Sequence, residues 1–256
     1  QLGIFARTFD AIGSQQTFEA VVGAGYEAAQ FNFACPGMPS MPDVIDPVVS
    51  EDVRAAALRC GVTIAGVSGT YNMVHPDLSV RQRGLARLEV ICAATAGMGA
   101  DLVTLCTGTR DPDDQWRGHP DNASSDAWRD LVAEMESAVH IAERHKVKLG
   151  IEPELANVVS GARAARRLLD EFANPRVCIV LDPANLFEVA NAEERYRLID
   201  EAVDLLAGNI GMAHAKDRTA DGGFTAAGRG VIDFAHVVGR LKQTGFSGPL
   251  ITHGLD

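Results

Sequence analysis

VKLGIEPELANVVSGARAARRLLDEFANPRVCIVLDPAN, residues Val147 to Asn185, divides into three pieces. Val147–Glu154 is a short apolar run that ends in two acids, Glu152 and Glu154. Ser160–Phe172 spaces its apolar residues at three- and four-residue intervals among charged ones, the period of a helix. Arg176–Asn185 is a second apolar run, and it ends in Asp182, a proline and Asn185. Strand, helix and strand in this order make one unit of a parallel sheet.

The alternation continues in both directions. Upstream, strands are expected at Leu2–Ala6, Tyr26–Phe33, Val62–Gly69 and Asp101–Gly108. Helices are expected over Gln15–Gly25 (with Ser14 as cap), Asp43–Gly61, Asp77–Ala100 and Ser124–His145. Downstream come a helix at Glu193–Gly208, a strand at Ile210–Asp217, a helix at Asp233–Phe246 and a strand at Gly248–Gly254. Eight strands separated by helices in 256 residues fit one α/β domain over 1–256, a (β/α)8 TIM barrel. A doubly wound open sheet would carry a glycine-rich phosphate turn after its first strand, and Ala6–Ser14 (ARTFDAIGS) has none. No helix follows the last strand, so the final helix is expected to be missing, through a trimmed tail or closure by a partner subunit in a homo-oligomer.

A hydrophobic content of 46% with 22% charged residues suits a core of this size. The net charge of −11 argues against a nucleic-acid surface and against docking on anionic lipid. No apolar run approaches the roughly 20 residues that span a bilayer, and no basic, apolar leader opens the chain, so a cytoplasmic enzyme is expected. The five cysteines are widely spaced among apolar neighbours and read as buried free thiols.

In a (β/α)8 barrel the reacting groups sit at the carboxyl ends of the strands. Strand five ends in Glu152 and Glu154, strand six in Asp182, strand seven in His214 and strand eight in His253. Any one of these reads as a helix cap or a hydrogen-bonded core group. Four consecutive strands ending this way ask for a counter-charge, because clustered buried carboxylates repel. A divalent metal supplies it: mixed carboxylate and imidazole donors suit Mn²⁺, Zn²⁺, Co²⁺ or Fe²⁺, with Mg²⁺ also in play, better than Ca²⁺.

The motifs GIEPE, LDPAN, HAKD, AAGRGVIDF and TYNMVHPD, in their strand-end order, resemble the xylose-isomerase-like TIM-barrel family, the sugar phosphate isomerase/epimerase group. The resemblance runs from Leu2 to Leu255. It implies metal ligands at Glu152, Asp182 and His214, with His253 where epimerases of the family carry a second glutamate. Asn185 stands where many members have a substrate-contacting histidine. Further substrate-binding candidates are His75, Lys216, Arg229, Trp116, His119, Arg7 and Glu154. Each has a plainer alternative: a turn before Pro76 for His75, an ion pair with Asp217 for Lys216, a structural ion pair for Arg7. For Trp116 and His119, in the long loop Thr109–Asn122, it is packing on their own loop; Glu154 could orient a metal-bound histidine.

The resulting expectation is a metal-dependent sugar isomerase or epimerase working through a metal-stabilised enediolate, with Glu152 and His253 as catalytic groups. The alternative is a dehydratase or lyase acting on a keto-sugar or keto-inositol. An abasic-site endonuclease and a non-catalytic sugar-binding subunit are weaker alternatives. The partner is a small-molecule sugar in the leading readings.

Overall fold

The computed structural model describes residues 1–10 and 13–254. Its strands are β1 (Leu2–Phe5), β2 (Ala28–Phe31), β3 (Thr63–Ser68), β4 (Leu102–Cys106), β5 (Lys148–Glu152), β6 (Val177–Leu181), β7 (Ile210–Arg218), a short β8 (Phe224–Ala226) and β9 (Leu250–Thr252). All except β8 run parallel, each beside the next, and β9 lies between β7 and β1. The ring therefore closes as an eight-stranded barrel with no free edge. Among the described residues seven helices surround it: α1 (Ser14–Gly23), α2 (Pro47–Cys60), α3 (Leu78–Gly97), α4 (Ser125–His145), α5 (Ala162–Phe172), α6 (Ala192–Leu206) and α7 (Phe234–Gln243).

Capping chemistry corrects the expected helix bounds. α2 starts at Pro47 rather than Asp43: Asp46 takes the extended conformation that proline imposes on its predecessor, and its carboxylate accepts the Val48 N–H. Asp77 and Asp233 likewise stand outside α3 and α7 as side-chain caps. No strand is expected at β8, which folds back antiparallel on the extension of β7, Lys216 opposite Ala226. The Asp217 carboxylate holds this hairpin, accepting backbone N–H groups of Arg218, Gly228, Gly230 and Ile232 at 2.8–3.0 Å. A Cβ on Gly230 would collide with the Arg218 carbonyl, so only glycine lets the loop wrap this closely.

Strand side chains alternate between two destinations. Val103, Leu105, Leu149, Ile151, Ile179 and Leu181 point outward and pack under the helices in the main core. Each such buried aliphatic side chain contributes about 1.5–3 kcal/mol. The alternate positions enter the lumen. At its lower end Leu102, Cys178, Val180, Met212 and Ile251 form a separate apolar cluster. Gly150 faces them, because a Cβ there would lie 2.8 Å from Val180. Two residues further along the same strands the lumen turns polar with Thr104, Glu152, Asp182, His214 and His253. Two further again come Cys106, Glu154 and Lys216. The period of two thus stacks an apolar plug, a reactive layer and a rim, in that order.

Candidate metal centre

Glu152 ends β5, Asp182 follows β6 directly, and His214 lies within β7. One donor atom from each of these three lies within 4.8 Å of the others. His214 Nδ1 is 3.3 Å from Glu152 Oε1 and 3.8 Å from Asp182 Oδ2. Asp182 Oδ2 and His214 Nδ1 are both buried without a well-aligned hydrogen bond among the described residues, so their charged neighbours meet them only as ion pairs and the point between them is open to a further group. Two carboxylates and an imidazole nitrogen converging on one point fit a divalent cation.

The tautomer of His214 is set from across the barrel. Gln30 on β2 donates its amide hydrogens to Ser68 Oγ and Thr104 Oγ1, at 3.2 and 3.1 Å. That leaves its Oε1 to accept His214 Nε2–H at 2.7 Å. Nδ1 is thereby turned toward the carboxylates, the arrangement by which an outer partner orients a metal-binding histidine. Gln30→Leu should weaken metal binding about 10- to 100-fold, the scale of losing such a partner. Chelator competition measures it, and an unchanged affinity would show that His214 needs no orienting.

Lys216 sits one step above, its Nζ 3.2 Å from Asp182 Oδ2 and 3.1 Å from Asn185 Oδ1. Its ion-pair partner is Asp182, not Asp217, which is occupied by the hairpin amides. The buried Asn185 links the layer by donating to Glu152 Oε1 at 2.9 Å. Burial pushes the Asp182 carboxyl up, but Lys216 and His214 outweigh it and hold the group well below the usual carboxylate range. Glu152 is likewise opposed by burial and pulled down by His214 and Lys216. Burial disfavours a charged His214, yet the two carboxylates raise it to about 9.

At neutral pH the metal-free site therefore keeps a proton on His214 where a cation would bind. Metal binding must expel that proton. Affinity should rise about tenfold per pH unit up to about 9 and level off above it. Titration calorimetry in buffers of different ionisation enthalpy counts the released proton; a flat profile from pH 6 to 9 would contradict it. The same shift stabilises the metal-free fold fully below the ordinary value of 6.5, and the benefit is lost as pH rises through about 9.

His253 ends the eighth barrel strand. Its ring stacks on Phe5 at 4.8 Å and on His214 at 5.3 Å, nearly parallel to the latter. Its Nδ1 is buried and unpartnered among the described residues, and it is not one of the three converging donors. Burial and the charge of His214 depress it to about 4, so the imidazole is neutral at physiological pH.

Glu152, His214, Lys216 and His253 line a cavity of about 590 Å³ that also reaches Arg7, Trp116, Glu154 and Phe224. Burial raises the Glu154 carboxyl. Arg7 is exposed at the rim and makes no ion pair among the described residues. Three candidates lie apart from this cavity. His75 ties loops together, Nε2 donating to the Pro112 carbonyl and Nδ1 accepting Asp77 N–H. His119 accepts Asp121 N–H in a turn of its own loop. Arg229 is exposed, and its flanking glycines approach Asp217 rather than an open site.

The sequence matches the family described as xylose isomerase-like TIM barrel over residues 18–254. Among solved structures it resembles a 3-keto-D-glucoside 4-epimerase from E. coli, 18% identical, covering 99% of this chain and 91% of that one, with a TM-score of 0.77. An L-ribulose 3-epimerase is 20% identical over 100% of this chain and 81% of that one, with a TM-score of 0.76. A D-psicose 3-epimerase from Clostridium cellulolyticum H10, solved with D-tagatose, is 16% identical over 98% and 83%, with a TM-score of 0.75. No curated protein matches the sequence. At these identities the structural likenesses establish a shared fold.

Proposed function

Because the chain belongs to the xylose isomerase-like TIM barrel family, we propose that it is a metal-dependent sugar isomerase or epimerase. The observation that carries this reading is the convergence of Glu152, Asp182 and His214 on one point, beside a cavity that Glu152 and His214 line. A cation held there, of the Mn²⁺, Zn²⁺, Co²⁺, Fe²⁺ or Mg²⁺ kind, would polarise a sugar carbonyl and neighbouring hydroxyl and acidify the adjacent C–H. Glu152 takes that proton: it is kept ionised by His214 and Lys216 and faces the cavity. The Lys216 ammonium faces the negative charge that develops on the resulting enediolate. Asn185 steadies both groups through its amide, a positioning role in place of substrate contact. In an isomerisation the protonated Glu152 returns the proton to the neighbouring carbon; in an epimerisation His253 is assigned to donate one from the opposite face, as imidazolium, or else to serve as a fourth ligand. The structural neighbours named as sugar epimerases point to the same substrate class.

Elimination is the second reading, and His253 is the observation that favours it. A neutral imidazole stacked between Phe5 and His214 is a poor substitute for a second carboxylate base. Glu152 alone can start the loss of a β-leaving group from a keto-sugar or keto-inositol. Metal analysis followed by incubation of the Mn²⁺-loaded protein with ketoses and keto-inositols in D₂O separates the readings. Deuterium at carbon with a rearranged sugar supports isomerisation, and a dehydrated product supports elimination. Stoichiometric metal with neither exchange nor product from any of them would overturn both.

A further inference from the structure

The chain has two tryptophans, and their surroundings differ. Trp128 is buried, its indole N–H donates to Glu171, and Arg167 lies 3.8 Å over its ring. Trp116 is 54% exposed, and among the described residues its ring has neither an aromatic nor a cationic neighbour. Its backbone is held firmly. Arg117 grips Asp111 at 2.6 and 2.7 Å, Asp111 accepts the N–H groups of Asp113 and Asp114, and Asp114 accepts that of Trp116. The loop is braced so that a bare indole lines the cavity above the metal-binding trio. A lone exposed apolar ring is ordinary at a surface; what sets this one apart is that it lines the same cavity as Glu152 and His214.

The cavity is also larger than the reaction needs. A six-carbon sugar displaces on the order of 180 Å³, the share of about six water molecules, whereas the cavity holds about 590 Å³. A side cavity of about 400 Å³ adjoins it and shares Met41, Thr70 and Gln115 with it. Met41, Thr70, Gln115 and Trp116 all line the main cavity, where space remains beyond a single reacting sugar. Met41 adds a flexible apolar side chain that adapts to ring edges.

We propose that Met41, Thr70, Gln115 and Trp116 form a second subsite, which receives a ring substituent joined to the reacting sugar, so that the substrate is a glycoside of a keto-sugar, whose ring carbonyl stays free for enediolate formation. The reacting sugar sits on the polar floor at Glu152. Its glycosidic oxygen leads outward, and the substituent stacks on the Trp116 indole, where an aromatic or pyranose face meets the ring. Trp116 determines specificity here and takes no part in proton transfer. This inference deepens the proposed function and rests on it for the position of the reacting sugar.

The test is calorimetric binding to Mn²⁺-loaded protein. Pairs of phenyl and methyl β-glycosides of glucose, galactose, mannose and xylose serve as probes, with cellobiose separating a sugar substituent from an aromatic one. In at least one pair the phenyl glycoside, or cellobiose in the glucose series, should bind about tenfold more tightly than the methyl glycoside, ~1.4 kcal/mol. Trp116→Ala should erase the difference, Trp116→Phe should retain most of it, and metal content should be unchanged in both. Equal affinity within every pair, no measurable binding of any probe, or a preference that survives Trp116→Ala overturns the subsite. Failure of the metal reading looks different, since it appears as protein without stoichiometric metal whatever the probe.

Discussion

Asp182→Asn protein will fold but will purify without stoichiometric metal. Asn keeps the shape of the side chain and its acceptor for Ala184 N–H, while removing the charge that faces His214 and Lys216. The loss of metal affinity should exceed the about 10- to 100-fold cost of removing a ligand's supporting partner. Activity should fall with occupancy. A second effect is expected in the metal-free state. Lys216 would keep its charge in a buried position without its nearest carboxylate, and breaking such a pair costs about 3–5 kcal/mol. Adding Lys216→Met should return part of that stability without returning metal. Emission spectrometry of the purified protein and thermal melts read the two effects separately. Full metal occupancy in Asp182→Asn would remove this residue from the ligand set.

Glu152→Gln should separate holding the substrate from moving its proton. The amide oxygen can still accept from Asn185 Nδ2 and face the cation, but the group can no longer accept a proton from carbon. With metal added to saturation, C–H exchange in D₂O should drop about 10²- to 10⁴-fold, the contribution of a positioned general base. KM should move far less than kcat. A variant that exchanged deuterium within about threefold of the parent rate would place the base elsewhere, His253 or Glu154 being the nearest alternatives in the cavity.

Much of this site could be read from strand endings. Glu152, Asp182, His214 and His253 stood out because each interrupts an apolar run at the end that a parallel barrel turns toward its mouth. Gln30 was overlooked because it lies within its run, and a lone amide between alanines and phenylalanine looks incidental. Counting by two along the strands would have found it, since Gln30, Ser68 and Thr104 occupy the same lumen layer as the acids. The helices were legible in number but not at their starts, where Asp46, Asp77 and Asp233 serve as caps and so lie outside. The β7–β8 hairpin was illegible for another reason. What stabilises it is a single carboxylate, Asp217, gathering amides up to fifteen residues away, and no local pattern encodes that distance. The same holds for the partners of Lys216 and Asn185, which exist only once the barrel has closed. Arg229 shows the converse: glycines on either side suggested an approach to a ligand, and the chain uses them to approach itself.

Apolar side chains stopper the lower barrel, and this makes the cavity a cul-de-sac. Leu102, Val180, Met212 and Ile251 are almost sealed from water beneath the reactive layer. Ligand and solvent therefore enter from the side of the rim, where Arg7, Trp116 and Phe224 stand, and not through the barrel floor. A seated substrate is its own cork. If Glu152 is the base proposed above, the hydrogen it lifts trades with bulk water more slowly while the substrate stays, and part of it is handed back to the molecule it came from. The fraction of isotope retained during turnover is then a clock for residence at the rim, and larger substrates should keep more of their own label.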